Sequence, residues 1–342
     1  MIELNSDRLV VSFPDLPHQP QVAIDFQRTF RIPDGGRAYP LPPGLGSFPL
    51  RHIDDYASRM PAKWLSRGGV LLPMWQSEAL WVNLNGQYIA DRETQYPFAI
   101  KVATGKISAI TGELWQQGLS RNPQNYLVVP GQPWLDGYCV EKGVIRQFVA
   151  MPLGEGYSVE EQLTGEAEFG GMQIEVFPMR TGAFENRFPV CPRRVRDLKR
   201  LYLCCEQTVA GMGLAPGGRM LQEIYEDPFS IHDWDTEHAS RCFIHLVNAT
   251  TWQALTGQRP PSKPITAEQY TRAGLPWFDY YDAELKALDG SAKLAKLKTV
   301  KETSEANRAA PLPDNEPVAV SKVINLHAGL KCHQVREADF SA

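Results

Sequence analysis

The chain has 342 residues, a formal net charge of −4, 43% hydrophobic residues and 22% charged residues. This composition is close to the globular average, which excludes a chain that is disordered throughout. The acidic balance argues against a protein that coats nucleic acid. The length predicts two lobes, or one large domain with an extension. The 27 proline residues predict short helices, because proline removes a helical hydrogen bond.

The N-terminal residues, the apolar segments and the cysteines indicate in which cellular compartment the protein is expected. Glu3 and Asp7 stand where a secretory leader carries Lys or Arg, and no long apolar run follows, so we predict no leader. No window approaches the ~20 apolar residues that cross a bilayer. The six cysteines lack a disulfide spacing, and Cys204 and Cys205 are adjacent. We therefore expect reduced thiols and a cytoplasmic protein.

The first half of the chain alternates between apolar and polar residues. Val22, Ile24 and Phe26 share one face of a predicted strand, and similar short runs recur as far as residue 177. Gly, Pro, Asn and Asp separate these runs, which is typical of an antiparallel sandwich or barrel. Ser158 and Glu161 have the spacing of a capping box and predict a helix start. Residues 1–190 are the predicted β-rich domain.

The character of the sequence changes after residue 190. The first predicted element is a helix at 192–207, with a buried strand at 201–204 as the alternative. The others are a glycine-rich loop at 211–218, strands at 220–225 and 242–248, a helix at 266–273 capped by Thr266 and Gln269, a helix at 279–288 and a strand at 318–326. Residues 191–300 are thus predicted to form an α+β part packed on the first domain, and residues 301–342 a Pro-rich extended segment with little regular structure at 302–317. The predicted fold class is mixed α+β, dominated by strands.

Two motifs suggest metal or cofactor binding, and both are incomplete. His232, Asp235 and His238 carry imidazole and carboxylate groups that suit Zn²⁺, yet no HExxH or paired CxxC spacing is present. Residues 211–218 partly match a dinucleotide fingerprint, but Pro216 stands at the position of the third glycine. We therefore predict a solvated loop at 231–238 and no metal or other cofactor.

The segment 133–138 is the main candidate for ligand binding. Asp136-Gly137 is a strong turn signal, and Trp134 and Tyr138 place aromatic surface on either side of it. Aromatic rings beside a carboxylate suit a ligand with one apolar face and hydroxyl groups, such as a sugar. The alternative is that Trp134 is a buried anchor. Arg146 and Gln147, on the next predicted strand, complete the candidate set.

Several blocks of the sequence occur together in a known family. They are residues 72–81, 132–137, 146–154, 161–165, 170–173 and 274–278. In these blocks the chain resembles a family of uncharacterised bacterial and fungal proteins, and the resemblance extends from about Phe26 to Val300. It implies one integrated architecture, and it assigns no catalytic residue, because no activity is known for that family.

Two classes of function remain. The first is a cytosolic binding or interaction protein, whose partner is a small molecule, a carbohydrate included, or another protein. The second is a hydrolase that uses carboxylates around Asp136, with Glu155, Glu160 and Glu161 nearby in sequence, or a metal at His232 and His238. The absence of a complete catalytic motif favours binding. Neither a nucleic acid nor a membrane is an expected partner.

Overall fold

A computed structural model describes residues 1–190, 211–282, 284–309 and 316–327. Within these residues, sixteen strands hydrogen-bond into one large sheet, and two further pairs of strands form small sheets. The predicted fold class, mixed α+β and dominated by strands, is confirmed. The helix predicted at 192–207 and the adjacent Cys204 and Cys205 lie outside the described residues.

The strands before residue 190 are short and follow one another closely. They are β1 (Ile2–Leu4), β2 (Leu9–Ser12), β3 (Gln21–Thr29), β4 (Ala38–Tyr39), β5 (Arg51–His52), β6 (Val70–Met74), β7 (Ala79–Gly86), β8 (Tyr88–Ile89), β9 (Thr94–Gln95), β10 (Phe98–Thr104), β11 (Ile107–Ser108), β12 (Leu127–Val129), β13 (Trp134–Leu135), β14 (Gly137–Glu141), β15 (Val144–Pro152) and β16 (Met172–Pro178). Three short helices interrupt them: α1 (Ala62–Arg67), α2 (Val159–Thr164) and α3 (Thr181–Arg187).

Strands and helices alternate more evenly in the second part of the chain. The strands are β17 (Gly211–Leu221), β18 (Ser240–Asn248), β19 (Trp277–Tyr281) and β20 (Val323–His327). The helices are α4 (Ala249–Thr256), α5 (Ala267–Arg272), α6 (Ala292–Ala295) and α7 (Val300–Ala306). In the described part of the chain, no helix has the length and apolar character needed to span a membrane.

The large sheet folds over on itself. Its main path runs β1-β2-β3-β7-β15-β17-β18-β16-β10-β11. Strands far apart on this path nevertheless touch, since the ring of Phe13 after β2 stacks on Phe98 of β10 with 6.3 Å between centroids. Tyr138 of β14 donates a hydrogen bond to Thr104 of β10 at 2.9 Å. The apolar faces therefore enclose one continuous core in a sandwich-like arrangement.

Strands from both sides of residue 190 share this sheet. The later strands β17 and β18 lie between β15 and β16, both of which precede residue 190. Most pairings are antiparallel, while β4 runs parallel to β17 and β6 parallel to β18. The long antiparallel ladder of β15 with β17 joins the two parts of the chain along one shared core.

The glycine-rich segment 211–218 was expected to be a loop, and this expectation is wrong. It forms the first part of β17, which pairs with β15. The glycines allow neighbouring groups to come unusually close. A Cβ at Gly217 would lie 2.5 Å from Val149, and one at Gly218 would lie 2.5 Å from the backbone oxygen of Pro33. Glycine here reflects close packing on both faces of a strand and not a flexible turn.

The predicted helix at 279–288 is also wrong. The strand β19 occupies its first part and pairs in parallel with β20. Trp277 is fully buried and packs against Phe30, Tyr39 and Tyr270. Burial of this large ring selects an extended conformation over the weak helical preference of the residues that follow.

Local capping signals predict the helix starts well. The hydroxyl of Ser158 accepts a hydrogen bond from the Glu161 backbone, and the Glu161 carboxylate accepts one from the Ser158 backbone. Thr266 and Gln269 form the same reciprocal pair at α5. A third capping box, at Thr299 and Glu302, begins α7, so the segment predicted to be irregular from 302 is helical as far as Ala306.

Candidate functional site

One face of the large sheet carries polar and aromatic side chains instead of core residues. The strands β3, β7 and β13 are adjacent, and their register places Asp25 opposite Asn83, Asn83 opposite Trp134, and Gln27 opposite Trp81. Because side chains alternate along a strand, Val22, Ile24 and Phe26 point to the other face, where they are buried. The same alternation that builds the core thus gathers Asp25, Gln27, Trp81, Asn83 and Trp134 on one surface.

The sheet divides at Trp81. Strand β7 pairs with β15 through Ala79 and Leu80, and with β13 from Val82 onwards. Asp136 carries the chain from β13 to β14, where its backbone oxygen accepts a hydrogen bond from Phe148 at 3.0 Å. Continuing the register of β13 and β7 by one residue places Asp136 beside Trp81. Trp81 and Asp136 therefore meet where the sheet divides.

Asp136 and Gly137 do not form the tight turn that the sequence predicts. They connect two strands through extended chain. A Cβ at Gly137 would lie 2.0 Å from the backbone oxygen of Arg146, on the neighbouring strand β15. The glycine is thus explained by the close approach of two backbones and not by a turn.

A cavity of about 340 Å³ lies over this division of the sheet. Trp81, Trp134 and Asp136 form its floor, and residues 41–44 form one side. The outer wall is the two-stranded sheet of β19 and β20, which contributes Phe278 and Leu326. This wall is joined to residue Leu41 by two backbone hydrogen bonds with Phe278, of 2.7 and 2.9 Å.

The aromatic rings of the cavity contact one another. Trp81 and Trp134 are 6.2 Å apart between centroids, with their planes at 64°. The ring of Tyr280, which belongs to strand β19 of the outer wall, lies 4.7 Å from the ring of Trp134 between centroids. A Cβ at Gly44 would lie 3.2 Å from the Trp81 ring, so a larger residue at this position would press on that ring. The two tryptophans are half-buried and both line the cavity.

Asp136 is the one ionisable residue among the described residues that line this cavity. It is 3% exposed, and burial raises the pKa of its carboxyl to about 7. Gln222 opposes this shift, because its Nε2 donates a hydrogen bond to Oδ2 at 2.7 Å. Within the described part of the chain Asp136 forms no ion pair. Near neutral pH the carboxyl is therefore divided between its neutral and charged forms.

The other three predicted ligand-binding residues, Tyr138, Arg146 and Gln147, form their contacts outside the cavity. The ring of Tyr138 is fully buried, and its hydroxyl contacts Thr104 and the backbone oxygen of Leu214. Gln147 is fully buried and binds the backbone of Phe30 and Ile32. The guanidinium of Arg146 donates to the backbone of Leu297. The structure thus brings Trp134 and Asp136 together and leaves Tyr138, Arg146 and Gln147 outside the lining of the cavity.

The histidine-containing loop is organised around one carboxylate. Asp235 accepts hydrogen bonds from the backbone of Glu237 and His238, and Nδ1 of His238 lies 2.9 Å from Asp235 Oδ2. His232 is exposed in a short 3₁₀ turn at Ile231–Asp233. Across residues 1–190, 211–282, 284–309 and 316–327, no three His, Cys, Asp or Glu side chains are grouped so that they could hold a metal ion.

The carboxylates that were candidates for hydrolysis have separate roles. Glu160 accepts backbone hydrogen bonds from Phe169 and Gly170, and Glu161 caps α2. Asp25 shares the sheet face with Asp136, but it lies two strands and two residues away. Ordinary strand spacings put such positions roughly 12 Å apart, beyond the separation of paired glycosidase carboxylates.

Two other cavities are lined by side chains that form ion pairs. A cavity of about 610 Å³ is bordered by the ion pairs Lys286–Glu226 and Lys293–Glu113, each of 2.6 Å. A neighbouring cavity of about 310 Å³ contains Lys101, whose Nζ lies 3.3 Å from Glu175 and 4.1 Å from the centre of the Trp115 ring. Burial lowers the pKa of Lys101. These side chains already satisfy one another.

Sequence reasoning missed most of the cavity. Four separate parts of the chain contribute the residues that were missed: Trp81, Phe278, Leu326 and residues 41–44. Of these, only Trp81 could have been recognised from the sequence pattern. Trp81 alternates with the buried Leu80 and Val82, which places it on the face opposite the core, as Asp25 and Gln27 are on β3. Comparison of the chain with protein-family models, with curated proteins and with solved structures finds no match.

Proposed function

We propose that this chain is a cytosolic binding protein and that a small molecule with an apolar surface occupies the cavity lined by Trp81 and Trp134. The observation that carries the proposal is the combination of two half-buried tryptophans and one buried carboxyl in a single cavity. A volume of about 340 Å³ is within the range of small-molecule sites. Apolar walls with a few polar groups that fix orientation are characteristic of such sites.

Binding is a better account of this geometry than hydrolysis. A hydrolase with two carboxylates needs a second carboxylate near Asp136, and the nearest on the same face, Asp25, is already engaged with Asn83 at 3.0 Å and with Arg8 at 3.6 Å. The cytosolic setting is supported by Cys139 and Cys242, which are free buried thiols among the described residues.

The test is a screen of small fragments by ligand-observed NMR, with indole and methyl β-glucoside included as a flat and a hydroxylated probe. Fragments that bind the wild-type chain should lose their signal with Trp134→Leu. Trp115→Leu is the matched control, because Trp115 is also half-buried but lines a different cavity. The proposal fails if no fragment binds, or if both substitutions reduce the signal equally.

A further inference from the structure

The buried carboxyl of Asp136 lacks a positive counterpart, and this bears on the class of ligand. Two other buried carboxylates have a cation beside them: Glu78 lies 2.8 Å from Arg28, and Asp34 lies 3.0 Å from Arg31. Asp136 has only the neutral amide of Gln222. Burial of an unpaired carboxylate is costly, and a positive charge in the cavity would offset that cost.

The rest of the cavity suits a cation that carries no N–H groups. Trp81, Trp134 and Phe278 supply aromatic rings, while Leu41, Pro42, Pro43 and Leu326 supply aliphatic surface. Aromatic rings attract cations through their quadrupole, with tryptophan the strongest. A primary ammonium carries three N–H donors, whereas Asp136 is the one described lining residue whose side chain can accept a hydrogen bond. A sugar would likewise need more polar partners than this cavity offers.

We propose that the cavity binds a quaternary ammonium group, with its alkyl substituents against Trp81 and Trp134 and its charge opposite Asp136. This inference rests on the proposed function, because it names the ligand class of the same cavity. On the same face of the sheet, the negative charge of Asp25 is paired with Arg8 at 3.6 Å. Asp136 is thus the group that distinguishes a cation from a neutral molecule of the same shape.

The experiment compares choline with 3,3-dimethylbutan-1-ol, its uncharged carbon isostere, by calorimetric titration of the full chain at pH 8. Choline is expected to bind at least about tenfold more tightly than the alcohol. In Asp136→Asn this preference should shrink to the part that the aromatic rings supply. Glu155→Gln removes an exposed carboxylate elsewhere and should keep the preference. At pH 6, where Asp136 is mostly protonated, the preference of the wild-type chain should shrink.

Equal affinity for the two compounds, or a preference that is as large in Asp136→Asn as in the wild-type chain, would overturn the ammonium assignment. Binding of the alcohol alone would do the same and would leave the proposed small-molecule site intact. If neither compound binds, the ammonium assignment is wrong, and the separate fragment screen with Trp134→Leu decides whether the cavity is a binding site for another class of molecule.

Discussion

Gln222 holds Asp136 through two hydrogen bonds: its Nε2 donates to Asp136 Oδ2 at 2.7 Å, and its Oε1 accepts from the Asp136 backbone at 3.0 Å. The two residues are 86 positions apart in the chain, and Gln222 directly follows β17. The paired contact fixes the carboxyl in one orientation. Oδ1 takes no part in these two hydrogen bonds.

The stability of the chain should therefore depend on pH through Asp136. The pKa of Asp136 is raised from 3.8 to about 7 by burial. Between these two values the unfolded chain releases a proton that the folded chain retains, so the contribution of Asp136 to the free energy of unfolding falls as pH rises from about 4 to 7 and then levels off. Asp136→Asn removes this loss and should be more stable than wild type at pH 8 by roughly 2–4 kcal/mol.

Chemical denaturation of both proteins at pH 4 and pH 8 measures this difference. At pH 4 the two should differ little, because this pH is close to the ordinary pKa of 3.8 and little of the pH-dependent loss has yet accumulated. Asparagine keeps an oxygen that can accept from Gln222, so the hydrogen bond is retained. A variant that is less stable than wild type at both pH values would show that the carboxyl is not destabilising.

Gly137→Ala should destabilise the fold by about 3 kcal/mol, since the added Cβ meets the Arg146 backbone oxygen at 2.0 Å and the strands must separate. Gly182→Ala is the matched control. Gly182 lies in α3 with no atom within 4 Å of an added Cβ, so alanine should be neutral or stabilise by up to about 1 kcal/mol. Melting temperatures of the two variants check this. Equal effects would show that Gly137 tolerates a side chain.

His245 should limit stability on the acid side. Its ring stacks on Trp64 at 4.6 Å, and Nε2 donates to the Gly68 backbone oxygen at 2.9 Å, which leaves Nδ1 without a proton. Burial lowers the pKa of His245 from 6.5 to about 4. As pH falls from 6.5 to 4, the unfolded chain gains a proton that the folded chain does not, so stability drops by up to about 3 kcal/mol.

The variant His245→Gln retains a donor for Gly68 but cannot titrate. The difference in unfolding free energy between wild type and this variant should be constant above pH 7 and should shift against the wild type below pH 6.5. Urea denaturation across pH 4–8 gives this difference. A flat difference over the whole range would show that the histidine is protonated equally in both states.

Trp134 and Trp277 should differ in their contribution to stability. Trp277 is fully buried, and Trp277→Ala is expected to cost about 3–5 kcal/mol. Trp134 is half-buried beside a cavity, so Trp134→Ala should cost less, about 2 kcal/mol. Guanidinium denaturation of both variants tests the order. A larger loss at Trp134 would identify it as a core anchor.

Local patterns predicted those parts of the fold that depend on neighbours in sequence. The alternation of Val22, Ile24 and Phe26 gave the buried face of β3, and the capping boxes at Ser158 and Thr266 gave helix starts. The errors arose where distant contacts decide the conformation. The glycines of β17 were interpreted as a loop. In the structure they leave room for Val149 and Pro33, and this long-range contact cannot be recognised from the local sequence.

The candidate site was predicted in part for the same reason. Trp134 and Asp136 stood out because both lie within one short segment. Trp81 is far from them in sequence, and only the pairing of β7 with β13 brings it close. Gln222 is a further example, since no local feature marks it as the partner of Asp136. Tyr138 and Gln147 looked equally suitable in sequence, but strand alternation and the fold of the sheet bury them in the core.

The floor of the cavity belongs to strands that also build the core, whereas its outer wall belongs to a separate small sheet. Floor residues such as Trp81 alternate with core residues on the same strands, so changes there disturb the packing of the whole sandwich. Phe278 and Leu326 belong to a separate two-stranded sheet, which is joined to Leu41 through the backbone of Phe278. In related chains, ligand preference can therefore diverge through substitutions in the wall, while Trp81 and Asp136 stay the same.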